Sequence, residues 1–124
     1  MKAISKYLAA AWFTVLCTGP FAVAGEADVI DVKIEKKSAD TYNFNVTVEH
    51  ADEGWKHYAD GWEVIDEQGT VVATRVLHHP HVNEQPFTRG LSAVKIPQGV
   101  STITVRAHDS EHGHGGRTVT IDLP

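Results

Sequence analysis

Tyr42-Asn43-Phe44-Asn45-Val46-Thr47-Val48 alternates apolar and polar residues without a break. A period of two puts the apolar side chains on one face of an extended backbone and the polar ones on the other, the pattern of a strand with one face against a core. Upstream, before a Ser38-Ala39-Asp40 turn, Ile30, Val32 and Ile34 alternate with Asp31, Lys33 and Glu35 to give a first strand. Downstream, a short third strand is expected over Trp62 to Asp66, a hairpin turn at Asp66-Glu67-Gln68-Gly69, and a fourth strand over Thr70 to Leu77. A fifth spans Phe87 to Lys95, its phase interrupted at Arg89 and Gly90, before an Ile96-Pro97-Gln98-Gly99 turn. Ile103, Val105 and Ala107, then Val119, Ile121 and Leu123, alternate with polar neighbours in two last strands that flank a glycine-rich loop.

Short strands at this spacing in about a hundred residues predict an all-β fold. The expected form is a seven-stranded antiparallel sandwich of the immunoglobulin-like or fibronectin-III-like kind, with a small open barrel as the alternative. Trp62 on the third strand stands where such folds often bury a tryptophan, although their usual cysteine pair is missing.

Residues 1–24 read as a signal peptide, and residues 25–124 as the one β-sandwich domain. Lys2 and Lys6 supply a positive start, Tyr7 to Cys17 is an apolar run too short to span a bilayer, and Ala22-Val23-Ala24 is a small-x-small cleavage site. The mature chain is therefore expected to begin at Gly25, in the periplasm or outside the cell. Leu16 before Cys17, where a small residue would precede a lipidated cysteine, favours a freely exported form over a lipoprotein.

Losing Lys2 and Lys6 makes the mature chain two units more negative than the formal −5 of the whole sequence. Such a surface repels nucleic acid and anionic lipid and attracts small cations. The only cysteine, Cys17, and the only methionine, Met1, are both in the segment to be removed. Disulfides and soft sulfur ligation of Cu(I) are then ruled out of the mature domain.

The eight histidines fall in or beside three segments, His50 to His57, His78 to His81, and His108 to His114. Pairs of strands separate these segments, and a strand pair carries the chain down and back. All three should therefore return to one pole of the sandwich. Imidazole is the commonest metal ligand, and a site needs three or four donors about 2.0–2.2 Å from one ion. His79 and His81 around Pro80, His112 and His114 around Gly113, and His57 between Lys56 and Tyr58 are the candidate nitrogen donors, with Asp109 as a carboxylate ligand. Asp52, Glu53, Asp60 and Glu111 can ligate or orient the rings. His50 keeps the phase of the apolar face of the second strand and is expected as a hydrogen-bonded residue at the edge of the core. His78, at a strand end, reads as structural, and His108 falls on the polar face of its strand. Nitrogen and carboxylate donors suit Cu(II) first on affinity order, Zn(II) close behind, and Ni(II).

Trp55-Lys56-His57-Tyr58-Ala59-Asp60-Gly61-Trp62 brings aromatic residues into the same polar region. Trp55 and Tyr58 either close over the end of the core or form a surface that binds another envelope protein. No enzyme is expected: Ser110 beside His108 and Asp109 lacks a nucleophile elbow, and His108 with His112 lacks the glutamate and helix of a zincin, so a hydrolase is the weakest reading. The stretches Trp55 to Val64, His79 to Arg89 and Val105 to Ser110 make the chain, over about residues 28 to 123, similar to a group of small, exported, uncharacterised bacterial proteins. That resemblance implies an envelope location and no particular activity. Composition and pattern together point to an exported module that binds a divalent metal ion for storage, buffering or delivery. The runner-up is a metal-independent interaction module with pH-sensitive histidines.

Overall fold

The computed structural model describes residues 25–124, so the expected signal peptide lies outside the described residues. The strands are β1 (Asp28–Lys36), β2 (Thr41–Glu49), β3 (Ala59–Ile65), β4 (Val71–Val76), β5 (Phe87–Lys95), β6 (Thr102–Asp109) and β7 (Val119–Asp122). They make two antiparallel sheets, one in the order β1-β2-β5 and the other in the order β4-β3-β6-β7. No helix occurs among the described residues, and one core joins the two sheets as in a β-sandwich.

The alternation in β2 translates directly into burial, with Tyr42, Phe44, Val46 and Val48 inside. Ile103, Val105 and Ala107 of β6 and Trp62 and Val64 of β3 face them from the other sheet. Trp62, Phe44, Phe87 and Ile103 are the largest fully buried side chains, each contributing roughly 1.5–3 kcal/mol through the apolar surface it removes from water.

Two phases differ from the sequence expectation, and each has a local cause. In β1 the inward residues are Val29 and Val32, with Ile30 only half-buried, because a bulge between Val29 and Asp31 adds one residue to β1 against β2. In β5 the irregularity sits past Arg89 and Gly90: Phe44 pairs with Leu91 but Tyr42 with Val94, and Ala93 takes a φ of 56° at the extra residue. The Asn43 side chain accepts the freed Ala93 N–H at 2.9 Å. The third strand also begins earlier than expected, at Ala59, because its pairing with β6 runs up to Asp109.

The register fixes which ends meet. Asp28 pairs with Glu49, Val48 with Phe87, and Ala59 with Asp109. The starts of β1, β3 and β5 and the ends of β2 and β6 therefore share one pole. Across it runs the segment before β1, anchored where β1 begins by Val29 N–H to the Arg117 carbonyl at 2.8 Å and Arg117 N–H to the Asp28 carboxylate at 2.7 Å. Gly116 allows this approach, since a Cβ there would stand 2.0 Å from the Ala27 carbonyl oxygen.

Candidate metal centre

Two strands carry polar residues into the core-facing phase at this pole. The inward series of β2, from Tyr42 to Val48 in steps of two, continues to His50, and that of β6, from Ile103 to Ala107, continues to Asp109. The strands lie in different sheets, so the two side chains meet across the end of the core. His50 is 4% exposed and Asp109 is fully buried.

Their meeting point collects four donor atoms. His50 Nε2 lies 2.6 Å and His57 Nε2 2.8 Å from the same oxygen, Asp109 Oδ2, and both nitrogens lie 3.2 Å from the Gly25 carbonyl oxygen. The two rings pack edge to face with centroids 4.8 Å apart. The far side of each ring rests on its own carboxylate: His50 Nδ1 on Asp52 Oδ1 at 2.6 Å, and His57 Nδ1 on Glu53 Oε1 at 2.9 Å. Asp52 is itself buried and accepts the N–H groups of Ala59 at 3.0 Å and His81 at 2.6 Å. Asp109 Oδ1 accepts the N–H groups of Glu111, at 2.7 Å, and of His112, leaving Oδ2 for the two imidazoles.

The charges follow from these contacts. Burial pushes the Asp109 carboxyl up, but the His112 and Glu111 N–H groups and the His57 and His50 rings outweigh it and hold the carboxyl below its ordinary range. The hydrogen bond to Glu53 is the main influence on His57; burial opposes it, Asp109 and the Gly25 carbonyl reinforce it, and the imidazole is raised to about 9.

A neutral imidazole carries one N–H and can donate from one ring nitrogen only. When Nδ1–H is given to Asp52 or Glu53, the Nε2 lone pair faces Asp109 Oδ2 and the Gly25 oxygen. Acceptors at 2.6–2.8 Å hold together only through a proton or a cation. A carboxylate behind each imidazole is the arrangement that fixes ligating histidines on a metal. His50, His57 and Asp109 thus form one set that could hold an ion, and His57, Glu111 and His112 form an overlapping, more exposed one. In the second set the His57 and His112 ring centroids are 5.0 Å apart, and Glu111 Oε1 lies 3.9 Å from His57 Nδ1 and 3.7 Å from His112 Nε2.

Of the residues singled out from sequence, His57, Asp109 and His112 are brought together here. His79 and His81 form a separate pair, with ring centroids 4.8 Å apart and His81 stacked on Phe87 at 3.9 Å. Both ring nitrogens of His81 are buried without a hydrogen-bond partner, and burial, with Arg89 and His79 nearby, lowers the tendency of the ring to protonate. His114 pairs with His108, at 4.8 Å between centroids, beside Asp60 and Glu63 on the outer face of the four-stranded sheet. Burial and Arg106 hold the His114 imidazole below its ordinary value. Trp55 is 67% exposed and packs edge to face on Tyr58, with centroids 5.7 Å apart.

His50 reads from sequence as a hydrogen-bonded residue at the core's edge, and it is one; its part in the donor set is what the sequence reading left out. The signal was available, since a histidine in an apolar phase followed two residues later by an aspartate, and an aspartate in the apolar phase of β6, each mark a polar group driven inward. The Gly25 carbonyl carries no such mark, because a main-chain oxygen is the same at every residue.

Fold and site together define an all-β protein with a buried histidine–aspartate cluster of metal-binding composition. A protein of Halomicrobium mukohataei described as "Putative lipoprotein" is 37% identical to it over 97 residues, which cover 78% of this chain and 47% of that protein. The chain thus spans about half the length of that curated relative. No protein-family model and no solved structure matches the sequence. Among the described residues, no helix is long and apolar enough to cross a membrane.

Proposed function

We propose that this is an exported protein of fibronectin-III-like topology that binds one divalent ion, Cu(II) or Zn(II), through His50, His57 and Asp109. Its role is to store, buffer or deliver that ion. The observation that carries this reading is the convergence of two carboxylate-backed Nε2 atoms on one oxygen of a fully buried aspartate. A three-stranded sheet ordered β1-β2-β5 facing one ordered β4-β3-β6-β7 supports the fibronectin-III-like assignment. Export is supported by the Ala22-Val23-Ala24 site and by the lipoprotein description of the relative.

The bound ion takes the place of the protons that bridge the cluster. Donors about 2.0–2.2 Å from a shared ion stand roughly 3.3–3.6 Å from one another in a tetrahedral site. Loading therefore spreads the present 2.6–2.8 Å contacts and expels protons. Titration of metal-free protein with zinc or copper should saturate at one equivalent and raise the melting temperature. His50→Ala and His57→Ala should abolish that tight equivalent, while a His79→Ala, His81→Ala, His114→Ala triple variant keeps it. Loss of the equivalent only in the triple variant would move the site to the outlying pairs, and no saturable binding in any of them would refute metal binding.

A second reading rests on Trp55. An indole 67% exposed beside Tyr58 is an anchor for another envelope protein, independent of metal. Recovery of the same partner by parent and by Trp55→Ala would count against it.

A further inference from the structure

We infer that the main chain of Gly25 is itself part of the metal centre, and that cleavage before Gly25 completes it by freeing an α-amine beside the histidines. This inference rests on the metal reading above and names a ligand that no side-chain pattern supplies.

The geometry comes from the segment ahead of β1. It does not run off the pole but lies across it, held by the close contact of Ala27 with Gly116 and anchored at the start of β1 by Val29 N–H on Arg117. Gly25 then sits over the donor cluster. Its carbonyl oxygen is 3.2 Å from both His50 Nε2 and His57 Nε2, the two atoms that also face Asp109 Oδ2. The side of Gly25 where a side chain would stand faces His112: a Cβ placed there would be 3.2 Å from His112 Nε2. The Gly25 carbonyl thus meets two of the histidines, and the absence of a side chain at Gly25 leaves room for the third, His112.

An oxygen 3.2 Å from two imidazole nitrogens that also face Asp109 Oδ2 stands where an ion shared by those nitrogens would find a further donor. The nitrogen of the same residue is separated from that oxygen only by Cα and the carbonyl carbon, so an ion bound to the oxygen can close a five-membered chelate ring with the nitrogen. While a peptide bond joins it to residue 24, that nitrogen is an amide with no lone pair to give. Hydrolysis after Ala24 turns it into an amine, and on binding the ammonium gives its proton to solvent while the nitrogen pair goes to the metal. The small-x-small sequence Ala22-Val23-Ala24 puts the expected cut at that bond. Ligation would therefore be weak in the precursor and strong after export, when a second donor is already tethered at the ion.

The full chain, expressed in an exporting host and purified without a tag, should have the intact mass of residues 25–124; any other first residue overturns the inference. Zinc affinity by chelator competition is then compared between this protein and its Nα-acetylated counterpart, which keeps the Gly25 carbonyl but removes the amine. The free-amine protein should bind zinc about tenfold or more tightly. Equal melting temperatures of the two metal-free forms exclude a folding defect as the cause. Zinc should also shield the α-amine from an acylating reagent, and His57→Ala should remove that shielding. Equal affinity of the two forms with no shielding overturns the amine ligand and leaves the His50, His57 and Asp109 site standing. Absence of saturable zinc binding in both forms overturns the site and the inference together.

Discussion

At Asp109 a single carboxylate links the loop after β6 to two imidazoles, one oxygen to each task. Replacing it with asparagine keeps the shape and an acceptor for the Glu111 N–H but removes the charge and the anionic ligand. Asp109→Asn should abolish tight zinc binding by isothermal titration while the metal-free protein still folds. Asp52→Asn acts one atom further out, through His50 Nδ1, and should weaken binding by about 10- to 100-fold rather than abolish it.

His57 has a pH consequence in the metal-free protein that can be separated from the other histidines. It faces Glu53, Asp109 and Glu111, the His50 and His112 rings and the Gly25 carbonyl, and its value is raised from 6.5 to about 9. A folded value above the unfolded one means stability that is complete below about pH 6.5 and lost as pH rises through about 9. His81 and His114 are shifted the other way, so their contribution falls below pH 6.5 and leaves the alkaline window to His57. The metal-free melting temperature should fall between pH 7 and 9.5, and His57→Gln should flatten that fall. A parent curve as flat as the variant's would contradict the charged His57.

The elements deliver these residues by two continuations of strand phase and one strap. β2 and β6 run their inward alternation one step past the apolar core, and the result is His50 opposite Asp109. The strap before β1 depends on Gly116. Gly116→Ala drives a Cβ into the Ala27 carbonyl, a backbone atom that cannot swing aside, at about 1–3 kcal/mol. Thermal unfolding should show a loss of roughly 4–8 °C for each of those kcal/mol. Zinc affinity should fall as well, because Gly25 moves with the strap.

Much of this was legible in the alternation of residues. Strand number, the burial of Trp62 and the gathering of His57, Asp109 and His112 at one pole all follow from a period of two and the down-and-back path of strand pairs. What escaped were events that break the period. The bulge at Ile30 exchanges it for Val29 as the inward residue, and the bulge at Ala93 is closed by an Asn43 side chain three strands earlier in sequence. Depth was the other missing quantity. From spacing alone His79, His81, His112 and His114 weigh alike, whereas three-dimensional packing separates a pair against Phe87, a pair on the outer sheet face and a cluster around Asp109.

As a whole the described domain is a small acidic sandwich with a buried ionic cluster where the core meets solvent. Removing water from Asp109 is costly, and in the proposed loaded state a cation shared by its oxygen and two imidazoles would offset that cost in place of the bridging protons. Ligand linkage then sets a scale. At free zinc a hundred times the dissociation constant the folded state gains about 2.7 kcal/mol. For about a hundred residues that corresponds to a rise of roughly 10–20 °C in melting temperature. A rise of this size should appear by calorimetry in the parent and vanish in His50→Ala.

The most direct measurement is a crystal structure of the zinc-loaded protein, with diffraction recorded on both sides of the zinc absorption edge. A single strong anomalous peak bonded to His50 Nε2, His57 Nε2 and Asp109 Oδ2 is the expected result. A peak instead at the His79–His81 or His108–His114 pair, or none in the described domain, would contradict it.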